Sequence, residues 1–177
     1  YEGIVSKNYY SALGKIMPKD FKFNKRTRRP PRDPFNSMIS LGYTILLHEI
    51  IGQIESVGLS AYGGFVHGHT RKHPSLASDL IEEFRQIIVD SLVISMVLNG
   101  RVSINDFEIT ADGVFLNKDF LKLFLAELQN KMEIKQNYLS YLDNPVSYRK
   151  AIYHQSIKFS KAIENSDPFL YNPLRIR

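Results

Sequence analysis

The sequence predicts an all-α fold, a mainly helical domain with one small β-hairpin. Apolar side chains recur at helical spacing through most of the chain, and residues that start or stop helices stand at the ends of these runs. One Asp-Gly pair separates two short apolar segments, which is typical of a hairpin. With 177 residues, of which 44% are apolar, we expect a single helical domain over residues 1–177.

The first two predicted helices flank a connector. Residues 4–17 place apolar and aromatic side chains at helical spacing, and the run ends before Pro18. Asp33 followed by Pro34 is a strong start signal, because Asp caps free backbone N–H groups and proline suits the first helical position. Residues 35–57 continue with an almost wholly apolar face, so we expect a long helix here.

A loop that contains glycines and histidines, residues 63–74, precedes the third predicted helix. Ser75 or Ser78 is the expected N-cap, and the helix is expected to run to about Leu98. Its residues are apolar nearly all round after Phe84. Such a pattern belongs at the centre of a domain.

The last third of the chain predicts the hairpin and two further helices. Residues 107–116 form two short apolar runs on either side of the Asp-Gly turn. Asn117 is expected to cap a helix that continues to about Leu142. Residues 146–163 are expected to form the last helix, before an irregular tail that contains two prolines.

Composition excludes several classes of protein. No cysteine is present, which excludes disulfides, thiolate zinc sites and a cysteine nucleophile. The longest apolar stretch, residues 92–98, is far shorter than the ~20 residues that cross a bilayer, so we expect no membrane-spanning segment. The chain starts at Tyr1 without a signal-peptide pattern, and we interpret it as a fragment of a longer protein.

Positive charge is concentrated in the connector. The net charge of the chain is +5, and residues 15–32 alone hold eight Lys and Arg against one Asp. Because arginine forks match phosphate oxygens, this composition favours a surface that contacts nucleic acid. The alternative is a solvated loop in which Phe21 and Phe23 anchor the connector to the core.

Side chains of the types that bind metals crowd one window of the sequence. They are His67, His69, His73, Asp79, Glu82 and Glu83. Asp79 and Glu82 are three residues apart, so both carboxylates project from one face of a helix. One imidazole with two carboxylates suits Mn²⁺ or Mg²⁺, because hard oxygen ligands dominate and no thiolate is available. Two alternatives stay open: the acids complement the helix dipole beside an exposed loop, or the three histidines hold zinc.

Several motifs follow one another along almost the whole chain. They are Glu2-Gly3 with Tyr9-Tyr10, Arg28-Arg29-Pro30-Pro31-Arg32-Asp33-Pro34-Phe35-Asn36, Gly42-Tyr43-Thr44-Ile45-Leu46-Leu47, Gly58-Leu59, Gly64-Phe65-Val66-His67, Ser75-Leu76-Ala77-Ser78-Asp79-Leu80-Ile81-Glu82-Glu83-Phe84-Arg85 and Val89-Asp90. In this order they resemble the motifs of the CRISPR-associated endonuclease-integrase that captures new spacers, the first of the CRISPR-associated protein families.

The resemblance implies the helical catalytic domain of that family. The family's metal triad falls on Glu2, His67 and Glu82, which are then the catalytic residues and the ligands of Mn²⁺ or Mg²⁺. Asp79 resembles the accessory acid of the site, and His67 is either a ligand or the general base. Spacing alone did not single out Glu2. The residues assigned to DNA contact are Lys25, Arg26, Arg28, Arg29, Arg32 and Arg85.

The reaction that the resemblance implies is insertion of new spacers into a CRISPR array by attack of DNA 3′-hydroxyl ends, together with cleavage of branched DNA. The implied partners are double-stranded and branched DNA, a second copy in a homodimer, and a small ferredoxin-like CRISPR adaptation protein. The implied location is the prokaryotic cytoplasm, and we expect the β-rich N-terminal dimerisation domain of the family to be absent from this chain. The alternatives are a non-catalytic helical DNA-binding or assembly module and a divalent-metal nuclease without integrase activity.

Overall fold

The structure, a computed structural model, describes residues 2–64 and 73–174, with the backbone alone at Glu2. The helices are α1 (Glu2–Ile16), α2 (Pro34–Ser56), α3 (Ser75–Arg85), α4 (Ser91–Leu98), α5 (Lys118–Glu133) and α6 (Tyr148–Glu164). The strands are β1 (Phe107–Thr110), β2 (Gly113–Leu116), β3 (Lys135–Gln136) and β4 (Val146–Ser147). The mainly helical class and the β1–β2 hairpin are thereby confirmed, and an additional small sheet pairs β3 with β4.

The chain divides into two compact units. The first contains Tyr1–Tyr43 and Val89–Leu128, and the second contains Thr44–Ile88 and Gln129–Arg177. Each unit has its own set of buried apolar side chains. None of the helices within the described part of the chain combines the length and the apolar character needed to span a membrane.

Aromatic contacts dominate the core of the first unit. Phe23 stacks on Phe35 with ring centroids 4.5 Å apart. Phe107 meets Phe21 at 6.2 Å and Phe120 at 5.5 Å. Offset and edge-on pairs of this kind add about 0.5–1.5 kcal/mol each to the stabilisation from burial. The connector is therefore fastened to α2, to β1 and, through β1, to α5.

Aliphatic side chains form most of the core of the second unit. Leu80 and Phe84 of α3 are buried, as are Ala151 and Ile152 of α6. Leu139, in the segment between β3 and β4, is only 3% exposed. Burial of a large apolar side chain stabilises the fold by about 1.5–3 kcal/mol. The buried Leu139 therefore helps to hold the segment between β3 and β4 in place.

α2 begins at the predicted residue because Asp33 caps it. Asp33 Oδ1 accepts the backbone N–H of Asn36 at 2.8 Å, and its Oδ2 accepts the Asn36 side-chain amide at 2.6 Å. Burial raises the pKa of Asp33 in spite of these hydrogen bonds. Asn36 is itself fully buried, so one capping residue also fixes a polar side chain in the core.

Loss of the Asp33 cap is expected to destabilise the protein. Asp33→Ala removes both acceptors for Asn36, and loss of a helix cap costs about 0.5–2 kcal/mol in the free energy of unfolding. Urea denaturation measures this change. Asp119→Ala is the matched control, because the Asp119 side chain in the first turn of α5 is 95% exposed. A destabilisation that is equal in the two variants would contradict the capping role.

The helix after the Gly- and His-containing loop begins at Ser75, but it differs from the prediction in two respects. Pro74 stands at the N-cap position in place of a serine, and no hydrogen bond from a described side chain caps this helix. The backbone N–H of Leu76 donates instead to the Ala61 carbonyl oxygen at 2.9 Å. A π-helical segment, Gln86–Asp90, separates α3 from α4, so the predicted continuous helix contains a wider turn.

α5 starts as predicted and ends earlier. Asn117 Oδ1 accepts a backbone N–H of the first turn at 2.9 Å, which confirms the predicted cap. The helix stops at Glu133, and the predicted end near Leu142 is wrong. Lys135–Gln136 pairs antiparallel with Val146–Ser147, and this tertiary pairing prevails over local helix propensity.

The β1–β2 hairpin lies against the connector. Gly113 begins β2 with φ +147°, and a Cβ at this position would lie 2.9 Å from the Pro31 carbonyl oxygen. The backbone N–H of Val114 donates to that same oxygen at 3.0 Å. Arg32 Nη1 donates to the Ala111 carbonyl oxygen at 3.1 Å. These contacts hold the end of the connector in a defined position.

Candidate functional site

Two carboxylates of the predicted metal site lie on the first turns of α3. Asp79 and Glu82 are one helical turn apart, and both are half-buried. Glu82 Oε2 lies 2.5 Å from Arg85 Nη2, and 17% of the Arg85 side chain is exposed. Arg85, which we predicted to contact DNA, therefore neutralises the charge of a predicted metal ligand.

Gly64 and His73, the described residues that flank positions 65–72, both contact the start of α3. A Cβ at Gly64 would lie 3.0 Å from Asp79 Oδ2, so the backbone of Gly64 packs directly on the first turn of the helix. At the other end, His73 Nε2 and Ser78 Oγ form a hydrogen bond of 2.9 Å. The described residues on either side of positions 65–72 therefore both contact the first turn of α3, Gly64 next to Asp79 and His73 through Ser78.

Two of the three predicted ligands lie outside what the structure describes. His67 belongs to residues 65–72, as does His69, and only the backbone of Glu2 is described, at the start of α1. Among the residues that are described, no three His, Asp or Glu side chains form a group that could hold a metal ion. The triad of Glu2, His67 and Glu82 stays a prediction.

Glu83, the third acid of the predicted window, binds the C-terminal segment. Its Oε2 accepts hydrogen bonds from Gln155 Nε2 and from the backbone N–H of Leu174, both at 2.9 Å. Its Oε1 accepts one from the Tyr171 hydroxyl. Burial, with the charge of Glu83 beside it, raises the pKa of Tyr171. Three donors within the chain thus satisfy the Glu83 carboxylate, and its role is structural.

The predicted DNA-contacting cations of the connector differ in exposure. The exposed ones are Lys25, Arg28, Arg29 and Arg32. Arg26 instead donates from Nη1 to Asn36 Oδ1 at 2.8 Å and to Ser40 Oγ at 3.0 Å. Burial lowers its pKa. The Arg26 guanidinium is therefore engaged inside the protein, and the exposed cations are the better placed of the set to contact DNA.

The two aromatic residues of the connector lie in the core. Phe21 is 5% exposed and Phe23 is 6% exposed. Both rings therefore anchor the connector to the core and are not available to stack on bases, while the DNA-contacting role of the exposed cations stays a prediction. The connector can therefore contact a partner through its charged side chains.

A cavity between the end of α1 and the connector adds two cations to this surface. Its volume is about 300 Å³, and it is lined by Ser11, Gly14, Lys15, Lys22, Phe23 and Asn24. Lys15 and Lys22 are exposed and were not among the predicted DNA-contacting residues. The sequence signal was present, because both lysines belong to the charge cluster of residues 15–32.

A comparison with protein families and curated proteins finds clear relatives. The family model described as CRISPR associated protein Cas1 matches residues 1–130. CRISPR-associated endonuclease Cas1 of Mycobacterium tuberculosis is 35% identical over 170 residues, which are 95% of this chain and 50% of that protein. The chain spans about half the length of the curated relatives it matches.

Two solved structures contain chains whose fold is similar to that of this chain. A casposase bound to integration product is similar with a TM-score of 0.84 and 29% identity, over 99% of this chain and 51% of that chain. The chain in a structure described as a Cas6-RT-Cas1–Cas2 complex is similar with a TM-score of 0.86 and 26% identity, over 99% of this chain and 19% of that one. Almost every residue of the chain thus has a counterpart in these two folds.

Proposed function

The chain belongs to the Cas1 family of CRISPR-associated proteins, and from this premise we propose that it is the catalytic part of a divalent-metal-dependent DNA endonuclease and integrase. In the proposed reaction, a DNA 3′-hydroxyl attacks a phosphodiester of a CRISPR array and inserts a new spacer, and the same site cleaves branched DNA. The likeness to a casposase bound to integration product supports strand transfer as the reaction class.

The donor chemistry of α3 fits a hard divalent ion. Asp79 and Glu82 bring carboxylate oxygens one helical turn apart, and such ligands suit Mn²⁺ or Mg²⁺. The proposed ligands are Glu2, His67 and Glu82, with Asp79 as the accessory acid. When bound, the ion supplies positive charge that stabilises the pentacoordinate phosphate and lowers the pKa of the attacking hydroxyl.

The main support for this ligand set is the position of Gly64 and His73, which flank His67 in the sequence. Gly64 and His73 both lie against the first turns of α3, beside Asp79. His67 follows Gly64 by three residues, so the Cα atoms of these two residues are at most about 11 Å apart. This closeness in sequence supports His67 as the histidine of the proposed ligand set.

Arg85 orients one of the proposed ligands. Its ion pair with Glu82, at 2.5 Å, fixes one oxygen of that carboxylate. Partners of this kind hold a ligand in the geometry that a metal requires, and their loss typically weakens metal binding about 10- to 100-fold. We therefore assign Arg85 an orienting role beside its predicted contact with DNA.

The basic connector is the proposed surface for the DNA backbone. Its exposed cations are Lys25, Arg28, Arg29 and Arg32, and the neighbouring cavity adds Lys15 and Lys22. The buried aromatic anchors and the contacts with the hairpin keep the connector in a defined position, and with it the exposed cations. Contacts of this type neutralise phosphates without reading sequence, so we expect affinity that depends strongly on salt.

The proposed partners follow from the family. One structural neighbour occurs in a Cas6-RT-Cas1–Cas2 complex, and a casposase neighbour is bound to its integration product. For this protein we propose double-stranded and branched DNA as substrates, a homodimer, and a small ferredoxin-like CRISPR adaptation protein that joins two such dimers. Because the chain spans about half of its curated relatives, these partners belong to the whole protein.

One observation favours the alternative of a non-catalytic DNA-binding or assembly module. Glu82 is paired with Arg85, and Glu83 is satisfied by the C-terminal segment. Two acids of the predicted window thus have partners within the chain. In this alternative the acids stabilise α3 and the connector alone is functional.

Thermal unfolding with and without Mn²⁺ separates the two functions. If the site binds Mn²⁺, a concentration about 100-fold above its Kd stabilises the fold by about 2.7 kcal/mol, which raises the Tm by about 5–10 °C. Glu82→Gln is expected to lose this shift. Glu108→Gln, at an exposed position of β1, is the matched control and is expected to keep it. No shift in the unsubstituted protein would favour the non-catalytic module.

A further inference from the structure

The cavity between the end of α1 and the connector has a defined shape, because the two segments touch at a glycine. A Cβ at Gly14 would overlap the carbonyl oxygen of Phe23, so the connector backbone approaches α1 more closely than any side chain at this position allows. The Phe23 ring stacks on Phe35 with centroids 4.5 Å apart. The wall of the cavity next to Phe23 is therefore held both by α1 and by α2.

The polar side chains that line this cavity are hydrogen-bond donors. Lys15 and Lys22 each bring an ammonium group with three donors, and Ser11 and Asn24 add a hydroxyl and an amide. None of the described residues in the lining is an acid. Asp20, the one acid of the connector, is exposed and does not line the cavity. The described lining therefore presents positive charge without a carboxylate to neutralise it.

The two lysines are not used inside the described part of the protein. Neither Lys15 nor Lys22 forms an ion pair with an acid of residues 2–64 or 73–174. Arg101 and Arg149, by contrast, pair with glutamates at 2.4 Å or more. Both ammonium groups of the cavity are thus available to an anion from outside the chain.

The size of the cavity limits what it can hold. Its volume of about 300 Å³ is at the lower end of the range of about 300–1,000 Å³ that is typical of small-molecule sites. A DNA duplex, whose major groove alone is about 12 Å wide, cannot enter such a space. One phosphate group with its sugar is small enough to enter. The cavity therefore suits the end of a strand or a single nucleotide, and not the middle of a duplex.

Two ammonium groups match a phosphate monoester better than a diester. A monoester carries a charge of about −1.5 to −2 at pH 7 on three terminal oxygens, whereas each diester of the DNA backbone carries a single negative charge. In DNA a monoester occurs only at a strand end. Because the proposed reaction uses 3′-hydroxyl ends, the end that carries the phosphate is the 5′ end. A free mononucleotide carries the same chemical group.

We propose that this cavity binds a phosphate monoester, with Lys15 and Lys22 as its charge partners and with Ser11 and Asn24 as hydrogen-bond donors. The monoester belongs to the 5′ end of a DNA strand or to a free mononucleotide. For a strand end the inference rests on the proposed function and deepens it. The exposed arginines of the connector contact the backbone of the DNA, and the cavity holds the end of one strand.

The test compares Lys15→Gln/Lys22→Gln with Lys19→Gln/Lys118→Gln in the whole protein. Each double variant removes two positive charges from exposed positions of the first unit, but Lys19 and Lys118 do not line the cavity. Fluorescence anisotropy measures the affinity for one short duplex, labelled at an internal base, with either 5′-phosphate or 5′-hydroxyl ends. EDTA is present, so no divalent ion takes part. Calorimetric titration with dAMP and with deoxyadenosine tests the free nucleotide.

We expect the unsubstituted protein to bind the 5′-phosphorylated duplex about 10-fold more tightly than the 5′-hydroxyl duplex, which is the effect of about one hydrogen bond to a charged group. Lys15→Gln/Lys22→Gln is expected to lose this preference, and Lys19→Gln/Lys118→Gln is expected to keep it. If the cavity also takes free nucleotides, dAMP binds, deoxyadenosine does not, and the same variant loses dAMP binding.

The possible results identify the source of the monoester or overturn the site. A preference for phosphorylated DNA without dAMP binding assigns the strand end, and dAMP binding without that preference assigns the free nucleotide. If the unsubstituted protein shows neither, or if both double variants lose the preference equally, the inference is wrong. A protein that has the preference in EDTA but lacks Mn²⁺-dependent strand transfer would contradict the proposed function and leave this site in place.

Discussion

The Glu82→Gln variant is expected to bind branched DNA with unchanged affinity and to lose Mn²⁺-dependent strand transfer by at least about 100-fold. The amide keeps the size of the side chain but removes its negative charge, so it is a poor ligand for a hard divalent ion. DNA affinity depends mainly on the cations of the connector and is expected to persist. Rates of strand transfer and equilibrium binding, both measured in Mn²⁺ and in EDTA, separate the two effects.

Glu127→Gln is the matched control for loss of an ion pair. Glu127 pairs with Arg101, as Glu82 pairs with Arg85, and its side chain is 21% exposed. The control variant is expected to keep strand transfer, because Glu127 lies on α5 outside the proposed site. Normal strand transfer in Glu82→Gln would remove this residue from the site. A loss of equal size in both variants would point to destabilisation as the cause.

The double variant Arg28→Gln/Arg29→Gln is expected to bind DNA more weakly at low salt and to show a flatter salt dependence. Each phosphate contact contributes about 0.9 to the slope of log K against log salt concentration, so the loss of two contacts reduces the slope by about two. The affinity is expected to fall by a similar factor for all DNA sequences, because phosphate contacts carry no sequence information. Fluorescence anisotropy over a salt series measures both quantities.

A control variant with the same change in net charge tests whether the effect on DNA binding is specific to the connector. Lys150 and Lys161 are exposed cations of α6, and Lys150→Gln/Lys161→Gln removes two positive charges there. If the connector contacts the backbone directly, only the arginine variant loses slope. Equal effects in the two variants would show that affinity follows net charge alone. An unchanged affinity of the arginine variant at all salt concentrations would contradict the connector hypothesis.

Much of the fold was predictable because its signals are local. The caps at Asp33 and Asn117 and the turn before Gly113 were found from a few adjacent residues, and the structure has all three. A cap or a turn satisfies backbone groups within three or four positions, so its residues are visible in a short window. The end of α5 was predicted wrongly, because it depends on the pairing of β3 with β4.

The candidate site was predictable in part. Asp79 and Glu82 were predicted from the spacing of acids on a helix, and the structure places both half-buried on α3, with the backbone of Gly64 packed against Asp79. Glu83 looked equivalent in sequence, but its hydrogen-bond partners are 72 to 91 residues away in the chain. Glu2 has no metal-binding neighbours in sequence, and only the resemblance to a family assigned it.

The sequence by itself determined the helical class, the start of the capped helices, the site of the hairpin and the concentration of positive charge in the connector. The tertiary structure decided which charged groups have partners inside the protein, among them Arg26, Glu83 and Asp90. The physical reason is the range of the interactions. Helical spacing and caps depend on residues a few positions apart, whereas a buried charge requires partners that only the packing of distant segments supplies.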